Sequence, residues 1–186
     1  TTFDFNPWFR LNKNEDSSGV LSHFIDYQFN YSGTYTKYTD SNSGSEGYYN
    51  VFYLDTVSTK DSTHWRTINN AFNYSLKFNP INSSLKIGYK NEINQVYQYL
   101  DSTFSNHMVN AGLYVSQKHY TGFVKANYIV QGSNQNDYSL EINNSYKQSI
   151  AKVPFIIKLN ASIEKRHPDF MFNNWVSNHY TWNNNF

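Results

Sequence analysis

Between Phe155 and Glu164 apolar and polar residues alternate almost one by one. Phe155, Ile157, Leu159, Ala161 and Ile163 hold one parity, while Ile156, Lys158, Asn160, Ser162 and Glu164 hold the other. Successive side chains of a strand point to opposite faces, so this stretch predicts a strand with one apolar and one wet face. The pattern recurs in segments of roughly ten residues, the spacing of a transmembrane β-barrel. Phe3, Phe5, Phe9 and Leu11 alternate with Asp4, Asn6, Trp8 and Arg10. Leu21, Ile25, Tyr27, Phe29, Tyr31 and Tyr35 oppose Ser22, Asp26, Gln28, Asn30 and Ser32. Similar runs are centred on Tyr74, Ile87, Leu113, Val124 and Leu140, with a last candidate over Phe170–Phe186, making about nine strand candidates in all.

The connections predict the same architecture. Asn79–Asn82 and Lys118-His119 read as short turns, and Tyr38–Gly47, Asp55–Ser62 and Leu100–Asn106 as longer polar loops. Short turns at one end and long loops at the other are the habit of membrane barrels. Aromatic residues gather near segment ends. Tyr31, Tyr35, Tyr97, Tyr99, Tyr180 and Trp182 are candidates for the interfacial girdle, where an amphipathic ring sits half wet. The assignment is therefore all-β: an antiparallel transmembrane barrel, with about eight to ten strands in this chain and part of a larger barrel. Residues 1–186 form a single barrel segment without separate domains.

Composition sharpens this picture. Hydrophobic residues are 39% and charged residues only 16%, against about 45–50% and about 25% in ordinary soluble domains. The mean hydropathy of −0.70 would suit a disordered chain. Disordered chains lack aromatics, however, and this one carries 17 Tyr, 14 Phe and 4 Trp at strand spacing. The net charge of +1 argues against a nucleic-acid surface. The lack of cysteine excludes disulfides and thiolate metal sites. No run approaches the roughly 20 apolar residues of a membrane helix. Thr1 opens the chain without Met or a signal sequence, as in a mature chain or a piece of a longer one.

Several stretches resemble one family. They are Tyr38-Thr39-Asp40-Ser41-Asn42 before Gly47-Tyr48-Tyr49, then Tyr53-Leu54-Asp55, Thr59-Lys60-Asp61-Ser62-Thr63 and Asn69-Asn70-Ala71-Phe72. Asp137-Tyr138 and His167-Pro168-Asp169-Phe170 follow, and the chain closes on Ser177-Asn178-His179-Tyr180-Thr181-Trp182-Asn183-Asn184-Asn185-Phe186. In order and spacing, from about His23 to Phe186, these resemble the putative porin family of Bacteroidetes outer membranes. The resemblance implies an outer-membrane barrel with a pore role. It also implies a fragment, because family members are longer, although the terminal Phe186 is similar to a barrel assembly signal. It carries over no catalytic residue.

Reactive constellations are weak. The histidines His23, His64, His107, His119, His167 and His179 form no metal-ligand spacing, although His107 and His119 flank one hairpin. Asp40–Glu46 opens like a calcium loop but lacks its later ligands and reads as a plain loop. Asp55, Asp61, Glu92, Asp101 and Glu164 read as wall charges rather than a glycosidase pair. His167-Pro168-Asp169 matches a chaperone tripeptide without the helical hairpin that tripeptide needs, and the Asn-x-Ser triplets are expected by chance. The chain is thus expected to be no enzyme, with no cofactor and no metal.

The sites that follow are faces. Lys125, Asn127, Glu141, Lys158, Asn160 and Glu164 are expected to line the lumen. Leu113, Val115, Leu140, Ile142, Phe155, Ile157, Leu159 and Ile163 are expected to face lipid. The expected function is passive diffusion of small solutes across a bacterial outer membrane. The expected partners are outer-membrane lipid and lipopolysaccharide, with other outer-membrane proteins or the rest of the barrel at the edges. One rival is an accessory barrel subunit without an open pore, because Trp8, Tyr114, Phe123 and Ile129 on the wet parity could fill a lumen. A second rival is a soluble glycan-binding β-sandwich.

Overall fold

Long alternating runs become long antiparallel strands. The computed structural model describes residues 1–11, 21–41, 51–55, 58–99, 101–150, 153–168 and 170–184. Its strands are β1 (Thr2–Phe5), β2 (Trp8–Arg10), β3 (Leu21–Asp40), β4 (Thr59–Phe78), β5 (Ser83–Tyr97), β6 (Ser102–Ser116), β7 (Tyr120–Gly132), β8 (Tyr138–Ile150) and β9 (Val153–Lys165). A one-turn helix α1 (Phe170–Asn173) and a ribbon of β10 (Asn174–Val176) and β11 (Thr181–Asn183) follow. The large sheet runs β1-β3-β4-β5-β6-β7-β8-β9, with β2 also on β3, so from β3 onward each strand pairs with its sequence neighbours. Such a meander needs only hairpin connections.

Both edges of the sheet carry proline. β1 and β2 lie end to end along β3, opposite Phe29–Ser32 and Phe24–Asp26, with Asn6-Pro7 between them. Proline donates no ladder hydrogen bond and is confined to edges and interruptions. Pro154 occupies the opposite edge strand, β9.

The register sets the two faces. One row joins His23, Leu76, Leu85, Leu113, Val124, Ile142 and Ala161 across six strand pairs. The row on the opposite face, one residue along, joins Phe24, Ser75, Lys86, Gly112, Lys125, Glu141 and Ser162. Burial then runs opposite to that of a soluble protein. On the apolar face Phe72 is 57% exposed, Leu113 47% and Leu159 60%. On the polar face Ser22, Asn73, Asn94 and Asn106 are buried, together with the apolar Val96 and Ile129. Trp8 and Ile156 are exposed apolar residues on the polar face, and both stand on edge strands.

Several sequence expectations need correction. Ser102–Asn106 is the start of β6, so β5 and β6 join through a short turn rather than a Leu100–Asn106 loop. Thr59–Ser62 belongs to β4, and Tyr38–Asp40 to β3. Their polar side chains lower local hydropathy, which reads as loop, yet half of them project from the polar side of a strand. Residues 41–58 separate β3 from β4, against only 98–101 between β5 and β6. Finally, the predicted strand from Phe170 is a helix and a ribbon, because Ser177–Tyr180 makes a turn closed by Ser177 N donating to Tyr180 O at 2.9 Å. The aromatic run Tyr48–Leu54 also reads as a short strand, yet Val51–Leu54 is not strand; Tyr48–Asn50, the calcium-like residues after Ser41, and Phe186 lie outside the described residues.

Gly132 ends β7 beside a register shift between His107 and Met108, with φ of +121°. A Cβ there would run into the carbonyl oxygen of Ser105. Gly132→Ala is expected to cost about 1–3 kcal/mol, read from urea unfolding in detergent. Gly33→Ala, whose Cβ would meet nothing closer than 3.4 Å, serves as the comparison. Equal losses at both sites would sink this account of the backbone.

Candidate functional site: the polar face and the strap across it

The polar face carries hydrogen-bonded clusters that cross strands. Asp26 on β3 accepts from Asn73 Nδ2 on β4 at 2.7 Å and pairs with Lys86 Nζ on β5 at 3.2 Å. Three strands are thereby tied through one carboxylate. Higher up, Trp65 Nε1 donates to Thr67 Oγ1 (3.0 Å), Thr67 Oγ1 donates to Asn94 Oδ1 (2.8 Å), and Asn94 Nδ2 donates to Glu92 Oε1 (3.1 Å). Lys90 Nζ closes this chain on Glu92 at 2.9 Å. Buried polar groups need such partners, since an unmade hydrogen bond costs about 1–3 kcal/mol.

All six candidate lumen residues fall on this face. Lys125 stands opposite Glu141, which stands opposite Ser162; Asn160 faces Asn143, Glu164 faces Ser139, and Lys158 faces Ser145. Asn127 Nδ2 donates to Ser139 Oγ at 2.9 Å. Lys125 Nζ sits 4.2 Å from the centre of the Phe123 ring, a cation–π contact. All eight candidate lipid-facing residues fall on the other face. Register joins Leu113 to the Ile142 row, Leu140 to Ile163, and Val115 through Gly122 and Asn144 to Leu159; Ile157 and Phe155 share the parity of Leu159.

The girdle candidates divide. Tyr31, Tyr35 and Tyr97 project from the apolar face, and Tyr35, His64 and Tyr97 form an aromatic row with centroids 6.2 and 5.8 Å apart. Tyr99 stands in the β5–β6 turn, 68% exposed. Tyr180 and Trp182 belong instead to the ribbon segment, where Trp182 stacks on Trp175 at 5.8 Å. The parity of an isolated aromatic cluster does not tell a wall strand from a ribbon. A second pair, Tyr120 opposite Tyr146, lies at the other end of the apolar face and was not singled out from sequence. His107 and His119 do not meet: His107 bonds Tyr89 and Asn91, whereas His119 bonds the Lys147 carbonyl. Among the described residues no His and acidic group forms a metal-binding cluster.

Residues beyond β9 cross the polar face as a strap, tied at both ends. At one end Asp137, in the β7–β8 turn, takes the main-chain N–H of His167 at 2.8 Å and His167 Nδ1 at 2.6 Å. In the middle Phe170 stacks on Phe104 (5.1 Å, 15°) and meets Trp65 edge-on at 6.2 Å. At the other end Asn178, 1% exposed, forms a hub. Its Oδ1 accepts from Leu54 N (3.0 Å) and Asp55 N (2.9 Å), and its Nδ2 donates to Asp55 O (2.8 Å) and Thr59 Oγ1 (2.9 Å). Its main-chain N–H donates to Asp61 Oδ1 at 3.0 Å. Next to it His179 Nδ1 lies 3.2 Å from the Val51 carbonyl and Nε2 lies 2.7 Å from Thr59 Oγ1. A carbonyl only accepts, so in the neutral ring the proton is on Nδ1 and Nε2 accepts from Thr59.

The strap explains the motifs. The Tyr53-Leu54-Asp55 and Thr59–Asp61 stretches hold Asn178-His179, and Asp137 holds His167. Residues more than a hundred positions apart are therefore one polar joint. Between strap and sheet lies a cavity of about 510 Å³ lined by Trp65, Glu92, Phe104, Asn106 and Phe170 among others. Neither joint nor cavity was assigned from sequence; the quoted motifs were the signal that could have led to the joint.

A meander of long strands, exposed and apolar on one face and networked and polar on the other, defines the class as a β-barrel-type wall. A family model described as a putative porin matches residues 3–186, so the chain belongs to that family. A search of the curated proteins and one of the solved structures returned no match.

Proposed function

We propose that this chain is a wall segment of an outer-membrane barrel through which small solutes diffuse passively along the polar face. One observation carries the reading: apolar side chains stand exposed along one face of the sheet, while on the other Ser22, Asn73, Asn94 and Asn106 are buried and hydrogen-bonded. In hydrocarbon every backbone polar group must be paired, and a closed barrel satisfies this without an edge. Strands of 13 to 20 residues in β3–β9 exceed the roughly 9–11 residues needed to cross. The exposed apolar face meets outer-membrane lipid and lipopolysaccharide. The free edge of β9, exposed along all 13 residues, pairs with further barrel strands or with another outer-membrane protein. No catalysis and no cofactor enter this reading.

The strap favours a second reading, an accessory barrel whose lumen is closed. Conductance in planar bilayers decides between them. The native full-length protein is expected to give discrete channels. Absence of conductance from folded, inserted protein would sink the pore reading and leave the accessory one. A protein that stays monomeric in buffer without detergent would sink both.

A further inference from the structure

We infer that the cavity between the strap and the polar face binds a neutral saccharide. At about 510 Å³ it falls within the roughly 300–1,000 Å³ of small-ligand sites. Its walls differ in chemistry. One is the aromatic trio Trp65, Phe104 and Phe170, with Phe104 and Phe170 nearly parallel at 15°. The other presents amides and a carboxylate, among them Asn106, Asn134 and Glu92. Asn173, also on the lining, has its Oδ1 buried and without a hydrogen-bond partner among the described residues.

These walls exclude two solute classes. An apolar solute would strip water from the polar lining without replacing its hydrogen bonds, at about 1–3 kcal/mol for each group left unpaired. Among the described lining residues an ionic solute would find no unpaired counter-charge, because Glu92 is paired with Lys90 at 2.9 Å and His167 with Asp137 at 2.6 Å. A sugar ring satisfies both walls: its C–H groups pack against the aromatic side chains, and its hydroxyls meet the donor and acceptor positions that the amides and carboxylate have left.

This inference rests on the pore reading for the route by which the sugar arrives, but the site is measured independently of it. Titration calorimetry on the native full-length protein in detergent, with glucose, cellobiose and maltotriose as probes and gluconate as the charged comparison, is expected to show saturable binding of a neutral sugar near about 1 mM and none of gluconate. Phe170→Leu, on the strap, and Trp65→Leu, on the sheet, are each expected to weaken binding about tenfold. Lys118→Gln, in the β6–β7 turn, is expected to leave it unchanged. No saturable heat with any neutral probe, equal binding of gluconate, or unaltered affinity in both folded leucine variants would overturn the inference. Sugar binding without conductance would leave the site standing and remove the pore, and conductance without sugar binding would do the reverse.

Discussion

Leu159→Arg is expected to destabilise the inserted protein by about 2–4 kcal/mol, whereas Asn160→Arg one residue along is expected to cost about 0–1 kcal/mol. Leu159 is the middle residue of β9 and stands 60% exposed on the apolar face, level with Asn144. If that face meets lipid, the guanidinium has to be carried into hydrocarbon near the midplane, where water cannot solvate it. Asn160 faces the polar side opposite Asn143, where an added cation stays wet. Reversible denaturant unfolding from lipid vesicles reads both costs. A soluble sandwich would tolerate arginine at exposed Leu159 as readily as at Asn160. Equal costs at the two positions would therefore refute the facing, whatever the total stability.

The second large effect lies at the joint of the strap. Asn178→Ala removes the acceptor for two main-chain N–H groups, Leu54 and Asp55, and the donor to Asp55 O and Thr59. Buried groups left in this way cost about 1–3 kcal/mol each, and partial access by water brings the expected sum to about 3 kcal/mol. The loss is local, because the joint adds no pairing to the β3–β9 ladder. Amide exchange at residues 53–55 and 177–180 is expected to accelerate about 100-fold, with exchange in β5–β8 unchanged. Asn178→Asp keeps an acceptor and loses the amide donor, so it falls between. Exchange left at the parent rate in Asn178→Ala would show that the hub does not hold the strap. Loss of the whole β signature would show that the strap is part of the fold rather than tied onto it.

How much of this was legible in advance differs between elements. Leu113, Leu140, Phe155 and Leu159 sit on one face and Lys125, Glu141 and Lys158 on the other, as their parity predicts. The alternation is a property of the extended backbone and needs no knowledge of neighbours. Strand ends were less legible. Ser102–Asn106 and Thr59–Ser62 are strand although their composition reads as loop, because on this wall polar residues are proper strand occupants. The segment after Phe170 was the largest miss. Its spaced aromatics Tyr180 and Trp182 imitate a wall strand, yet Trp182 stacks within a ribbon and its Nε1 donates to the Met171 carbonyl at 2.9 Å.

The sequence by itself determined the strand class, which residues of the large sheet share a face, and the family, since all three are carried by local period and by motif order. The tertiary structure alone decided which polar groups are buried, and it alone placed the strap and its cavity. Asn178 and Thr59 are ordinary polar residues until residues 117 to 124 positions apart close on each other. No local period records a contact at that separation, because its free energy comes from partners the neighbouring sequence does not contain.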